Sequence, residues 1–250
     1  GSIGIVHSFG PVDGVDDTLE TKIAMRFADN YANNWILDTA ATGELPIDLL
    51  TDLNRRFDLS YITPDKLQAL REGAVDFLGL NYYSRVLVRP YTDGETQRVV
   101  IKGWFEQVLD DPNMQTTEWG TEIYPDGLRR GLIEVTRRYH LPIYITENGI
   151  GVAEDVSQGE VQDDYRIAFM KDHIAAIKAA QEAGADVRGY FVWSTFDLYS
   201  WKNGCRKRYG LVAVDFENGY TRTPKKSYRW YRDFIAGEQT GKPYQEEGQR

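Results

Sequence analysis

The sequence predicts a parallel α/β fold assembled from four strand–helix units. Short apolar runs of strand length recur at residues 3–8, 75–81, 141–147 and 187–193. Amphipathic helical patterns stand between them. The repeat of strand and helix, each unit tens of residues long, is the pattern of a parallel sheet, whose crossovers need connections of helix length.

Each element has a local reason. Residues 3–8 form a short apolar run and read as a buried strand. Asp17 with Glu20 three residues later resembles a capping box. The helix it opens carries Ile23, Ala24, Phe27, Ala28, Tyr31 and Ala32 on one face. Shorter helical patterns cover 47–56 and 64–72. Residues 75–81 read as a second buried strand, and 84–104 alternate around Asp93-Gly94 as a β-hairpin. Pro125 opens a helix to about Tyr139, with Leu128, Leu132, Ile133 and Val135 on its apolar side. Residues 141–147 are the third strand, and 163–183 form a long helix stopped by Gly184. Residues 187–193 are the fourth strand. A further strand pattern at 209–216 leads to a last helix, with Pro224 at its first position. Residues 1–250 are expected to form a single domain with a tail from about 237 to 250.

Composition narrows the chemistry. The net charge of -9 comes without an extended basic stripe, which argues against nucleic acid as the main partner. No apolar run approaches the roughly 18 residues of a membrane span, so no membrane partner is expected. The opening residues lack the pattern of a signal peptide, and the single Cys205 fits a reducing compartment. Both point to a cytoplasmic location. Three scattered His and one Cys make no zinc site, and no metal or cofactor is implied. The chain is 13% aromatic, and Tyr and Trp combine an apolar face with a polar handle that suits a sugar.

In a parallel sheet the carboxyl ends of the strands converge on one rim. Here those ends are His7-Ser8, Asn81-Tyr82-Tyr83, Glu147-Asn148-Gly149 and Trp193-Ser194. Glu147 is the sharpest residue, a carboxylate directly after an apolar strand and before a turn pair. Glycoside hydrolysis normally uses two carboxyl groups. The other strand ends supply none, and Asp197 in the loop after the fourth strand is a weak second candidate. Each residue also has a plain reading: Glu147 as a cap or surface acid, Asn81 as a turn cap, Tyr83 as packing, Trp193 as core.

The stretch Ile145-Thr146-Glu147-Asn148-Gly149 resembles the nucleophile motif of glycoside hydrolase family 1, the β-glucosidase-like retaining enzymes. Further stretches are similar in order. They are Asp76 through Tyr83, Glu122-Ile123-Tyr124-Pro125, Gly189 through Ser194, Arg208-Tyr209-Gly210-Leu211 and Pro224-Lys225-Lys226-Ser227. The resemblance implies the C-terminal half, units five to eight, of a (β/α)8 TIM barrel. It would be complete only with a complementary half or by self-association. The family's Asn-Glu-Pro motif, which carries the acid/base Glu, is absent from this sequence.

Residue by residue, the resemblance implies that Glu147 is the nucleophile and that the Tyr83 hydroxyl orients it. Asn81 would line the same wall, and Trp193 would pack on the sugar ring. Ser200-Trp201 stands where plain β-glucosidases have Glu-Trp. Ser200, Lys207 and Tyr209 resemble the phosphate site of the 6-phospho-β-glycosidases, with Trp201 beside them. A Glu would repel a phosphate, whereas Ser donates a hydrogen bond and Lys brings positive charge. The implied substrates are β-glucosides or β-galactosides, with the 6-phosphorylated sugars favoured and neutral sugars the alternative. The implied partner is an N-terminal half-barrel chain bearing the acid/base Glu. An inactive, self-associating homodimer and a sugar-binding wall without turnover are the competing readings.

Overall fold

The computed structural model describes residues 1–92, 103–157 and 159–240. In chain order the elements begin with β1 (Gly4–Phe9), β2 (Val12–Gly14) and α1 (Leu19–Asp29). A π-helical turn (Asn30–Asn34) leads to α2 (Trp35–Thr42), α3 (Ile47–Asn54) and α4 (Pro64–Glu72). Next come β3 (Phe77–Tyr82), β4 (Val86–Arg89), β5 (Glu106–Gln107) and α5 (Pro125–Tyr139). The remainder is β6 (Ile143–Asn148), α6 (Asp164–Glu182), β7 (Val187–Val192), β8 (Val212–Asp215), β9 (Thr221–Pro224) and α7 (Lys226–Thr240).

The four expected strands form one sheet in the order β1-β3-β6-β7, with β1–β3 and β3–β6 parallel. The described chain divides into two compact units. The first is Gly1–Asn148 with Ala175–Phe191; the second is Gly149–Ile174 with Val192–Arg250.

The core of the first unit follows from strand alternation. Leu78, Leu80 and Tyr82 of β3 and Ile143 and Ile145 of β6 point to one face. There they pack with Leu128, Leu132 and Val135 of α5, which sit at helical spacing. The sequence reading takes these strands as buried on both faces. The opposite face is instead partly open, with Val6 at 55% and Phe191 at 57% exposure, because the helices of this unit pack on one side only. Gly79 sits on the open side, where a Cβ would lie 2.9 Å from Val6 Cγ2 and 3.0 Å from Thr146 Cγ2.

Several boundaries differ from expectation for local reasons. Thr18, not Asp17, caps α1: its Oγ1 accepts from the Thr21 amide at 3.3 Å. The buried side of α1 is Thr21, Ala24 and Ala28, while Ile23 is 50% exposed and Tyr31 is exposed too. The π-helical turn after Asp29 rotates later residues away from a continuous 3.6-residue face. The hairpin turn at Asp93-Gly94 lies outside the described residues. The antiparallel return is seen as β4 with β5, where Val88 faces Gln107 and Arg89 faces Glu106. Pro224 does not open the last helix. It ends β9, paired with Val212 in a hairpin, and α7 starts at Lys226. That helix runs to Thr240, into the range expected as tail. Pro125 and Gly184 hold their expected roles at a helix start and a left-handed stop.

In the second unit, β8 and β9 pair antiparallel beside the first half of α6 and α7. His173 on α6 is fully buried, stacked on Phe169 with ring centres 3.9 Å apart. Its Nδ1 lies 2.8 Å from the Phe169 carbonyl oxygen. Burial pushes its pKa down to about 4, against the one hydrogen bond that raises it. The unfolded chain therefore binds a proton here between about pH 6.5 and 4 that the folded chain does not. This contribution to stability is whole above pH 6.5 and lost as pH falls toward 4. Denaturant unfolding of His173→Gln should remove up to about 3 kcal/mol of the stability loss between those pH values.

Candidate active site

The first unit brings three of the expected residues together. Parallel pairing sets Ser8 opposite Asn81 and Asn81 opposite Glu147, so three strands end at one level. Between Leu80 and Asn81 the register of β3 on β6 shifts. The Tyr83 hydroxyl donates to Glu147 Oε2 at 2.6 Å, across 64 positions of sequence. Both side chains are half-buried. Thr146 Oγ1 donates to Asn81 Oδ1 at 2.6 Å, so the Asn81 amide nitrogen keeps its donors for another partner. The carboxylate thus has one oxygen oriented by a neutral hydroxyl donor. His7, at the first strand's end, lies with Nε2 2.9 Å from the Ala32 carbonyl, and burial lowers its pKa.

An arginine anchors the segment that follows Tyr83. Arg85 donates two bonds to Glu122, both 2.9 Å, and a third to Asp13 at 3.0 Å. Its guanidinium sits 4.0 Å from the centre of the Tyr124 ring. Arg130 grips Asp13 with two nitrogens at 2.8 and 2.7 Å. Burial pushes the Asp13 carboxyl up, but Arg130 and Arg85 outweigh it and hold it below the usual range.

The second unit holds the other expected residues. Trp193 is half-buried, its peptide bond to Ser194 is cis, and the Ser194 amide donates to the Tyr209 carbonyl at 3.2 Å. Ser200 begins a tight turn, its amide bonded to Gly204 O at 2.9 Å. Lys207 is buried, with Nζ 5.2 Å from the centre of the Tyr209 ring. Trp201 stands 97% in solvent, outside the Lys207–Tyr209 cluster. Asp197 is not an available acid. It is buried and takes Arg208 Nη1 at 2.8 Å, the Gly210 amide at 2.9 Å and Lys225 Nζ at 3.0 Å. A carboxylate bound on all sides by cations and amides serves the scaffold.

Sequence reasoning missed two contributors in this unit, Gly151 and Arg166, and read a third, Gly149, only as part of a turn. Gly149 is forced, because a Cβ there would lie 1.9 Å from the Trp193 carbonyl oxygen. Gly151 makes room for the cluster: its Cβ would fall 2.5 Å from Tyr209 and 2.7 Å from Lys207. Arg166 is fully buried and donates to the carbonyls of Ile150, Arg208 and Tyr209 while paired with Asp163 and Glu154. Gly149 follows the Glu-Asn pair and was legible as a turn. Arg166 carried no local signal.

The model of the family described as "Glycosyl hydrolase family 1" matches residues 1–240. The chain belongs to that family. It is 36% identical to the aryl-phospho-beta-D-glucosidase BglC of Bacillus subtilis, over 94% of this chain and 53% of that protein. A 6-phospho-beta-galactosidase of Clostridium acetobutylicum is 35% identical over 93% of this chain and 52% of its own length. Among solved structures, the family 1 beta-glucosidase of Exiguobacterium antarcticum superimposes with a TM-score of 0.85 at 30% identity. That match covers 97% of this chain and 52% of the other. The chain spans about half the length of these relatives. Family 1 membership accords with an α/β chain whose parallel strands carry polar residues at their carboxyl ends. Among the described residues no helix is long and apolar enough to cross a membrane.

The Arg85–Asp13–Arg130 grip has a measurable consequence. Asp13→Asn should lower stability by about 1–2 kcal/mol at pH 7, the partial exposure of the arginines limiting the loss. Because the folded carboxyl titrates below its ordinary value, the contribution is present above about pH 4 and lost as pH falls through the lowered pKa. Denaturation of both proteins from pH 7 to 2.5 should show the gap closing with acid.

Proposed function

We propose that this chain is the nucleophile-bearing part of a retaining β-glycosidase acting on β-glucosides or β-galactosides, with 6-phosphorylated sugars preferred. The hydrogen bond from Tyr83 to Glu147 carries the reading. Glu147 attacks the anomeric carbon, the aglycone leaves with a proton, and water then releases the sugar from the glycosyl-enzyme. Asn81 and Trp193 bind the sugar. Ser200, Lys207 and Tyr209 receive the 6-phosphate, with Trp201 closing on it when substrate is bound.

The proton for the aglycone comes from a second carboxyl group. Asp197 is committed to Arg208 and Lys225, so it does not serve. The acid belongs to a complementary N-terminal half-barrel, and the open sheet face with Val6 and Phe191 supports a further segment packing in that place. The relatives' greater length supports it as well.

The test is hydrolysis of 4-nitrophenyl β-glucoside, β-galactoside and their 6-phosphates. The chain is assayed alone and coexpressed with the preceding segment of a family member. Turnover should require the second segment, and Glu147→Gln should lower kcat by about a thousandfold or more. Ser200→Glu should lower kcat/KM for the 6-phosphates at least about tenfold while sparing neutral glycosides, a Glu facing a dianion being repulsive. Equal loss on both substrate classes would remove the phosphate reading.

A further inference from the structure

The backbone ladder between β3 and β6 stops where the chemistry begins. Its last pair is Asn81 with Glu147, already beyond the register shift at Leu80. Tyr82, Tyr83 and Asn148 lie past it. Asn148 is fully buried. Its Nδ2 donates to the Tyr82 carbonyl at 2.9 Å, and its Oδ1 accepts from the Tyr190 hydroxyl at 2.8 Å. The orientation of the amide follows from its partners, since a carbonyl only accepts.

The carbonyl it holds is the first half of the peptide unit that leads into Tyr83. That unit is planar, so fixing the Tyr82 oxygen fixes the plane from which the Tyr83 side chain springs. The holder is itself one residue from Glu147. A single amide therefore ties the two partners of the 2.6 Å Tyr83–Glu147 bond to each other from behind. Tyr190 of β7 holds that amide in turn.

We propose that Asn148 is a positioning residue for the Glu147–Tyr83 pair, with the Tyr190 hydroxyl as its anchor. Its link to turnover rests on the glycosidase reading above. The side-chain bonds take over from the missing ladder and set the separation of nucleophile and orienting hydroxyl.

The primary test needs no activity. The chain is labelled with 3-fluorotyrosine, and the Tyr83 19F resonance is assigned by its absence from Tyr83→Phe. Glu147→Gln sets the displacement expected when the charged acceptor is lost. Asn148→Ala should move or broaden the Tyr83 resonance by at least half that displacement, and Tyr190→Phe should move it less, in the same direction. A lower melting temperature with an unmoved Tyr83 resonance would overturn the proposal, leaving a purely structural role. Should Asn148→Ala fail to fold, Tyr190→Phe decides: it loses one hydroxyl, and an unmoved resonance there overturns the proposal equally.

The second arm measures hydrolysis of 4-nitrophenyl β-glucoside 6-phosphate with the complementary segment present. Tyr190→Phe should lower kcat about tenfold and leave KM within about twofold, as expected for a misplaced nucleophile rather than lost binding. Changes confined to KM would count against positioning. Absence of turnover in the unsubstituted protein would sink the glycosidase reading, while the 19F result would still decide what Asn148 does.

Discussion

Everything proposed for this chain depends on how two neighbouring parallel strands end. Parallel pairing brings Asn81 and Glu147 to one level although 65 intervening positions separate their strands' loops and helices. Leu80 pairs with Ile145 but Asn81 with Glu147, so β6 gains one residue there, and Glu147 leaves the face of Ile143 and Ile145 to meet the Tyr83 hydroxyl. The outward face of the same strands is filled by Leu78, Leu80, Ile143 and Ile145 against α5. Apolar packing on one face thus buys rigidity for polar geometry on the other.

Buried charge performs the corresponding task in the loops. Arg85 fixes the segment after Tyr83 through Glu122 and Asp13. Arg166 holds the carbonyls of Ile150, Arg208 and Tyr209. An arginine suits both places because its planar fork supplies five donors that remain charged when buried. Each is compensated by carboxylates, as buried guanidinium groups must be. Glycines supply what side chains cannot. At Gly149 and Gly151 a single methyl group would collide with Trp193 or with the Lys207–Tyr209 pair.

The similarity to known proteins fits this division of labour. The relatives named as phospho-glycosidases match about a third of the aligned positions of this chain, and so does a structure named a beta-glucosidase. On the proposed function, discrimination between a neutral and a phosphorylated sugar would fall on a few loop residues such as Ser200, because an acid in its place would repel a phosphate. The open face bearing Val6 and Phe191 is the physical mark of a sheet that offers more apolar surface than its own helices cover.

The sequence by itself determined the four strands of the main sheet, the long helices with Pro125 and Gly184 at their ends, and the family. These follow from local periodicity and from motifs of consecutive residues. Glu147 was legible for the same reason, standing directly after an apolar run. Tertiary structure decided the rest. Asp197 looked like a free acid in a loop, yet Arg208 and Lys225 claim it from 11 and 28 positions away. Pro224 looked like a helix start, yet the hairpin with β8 takes it as a strand end. Ile23 and Tyr31 shared a helical face on paper, until the π-helical turn and the packing of α1 left both exposed. The parts of the site that were not legible, Arg166 and the Asn148–Tyr190 tie, are contacts between residues distant in sequence. Such contacts exist only once the chain has folded, because no local propensity encodes which carbonyl a buried donor will meet.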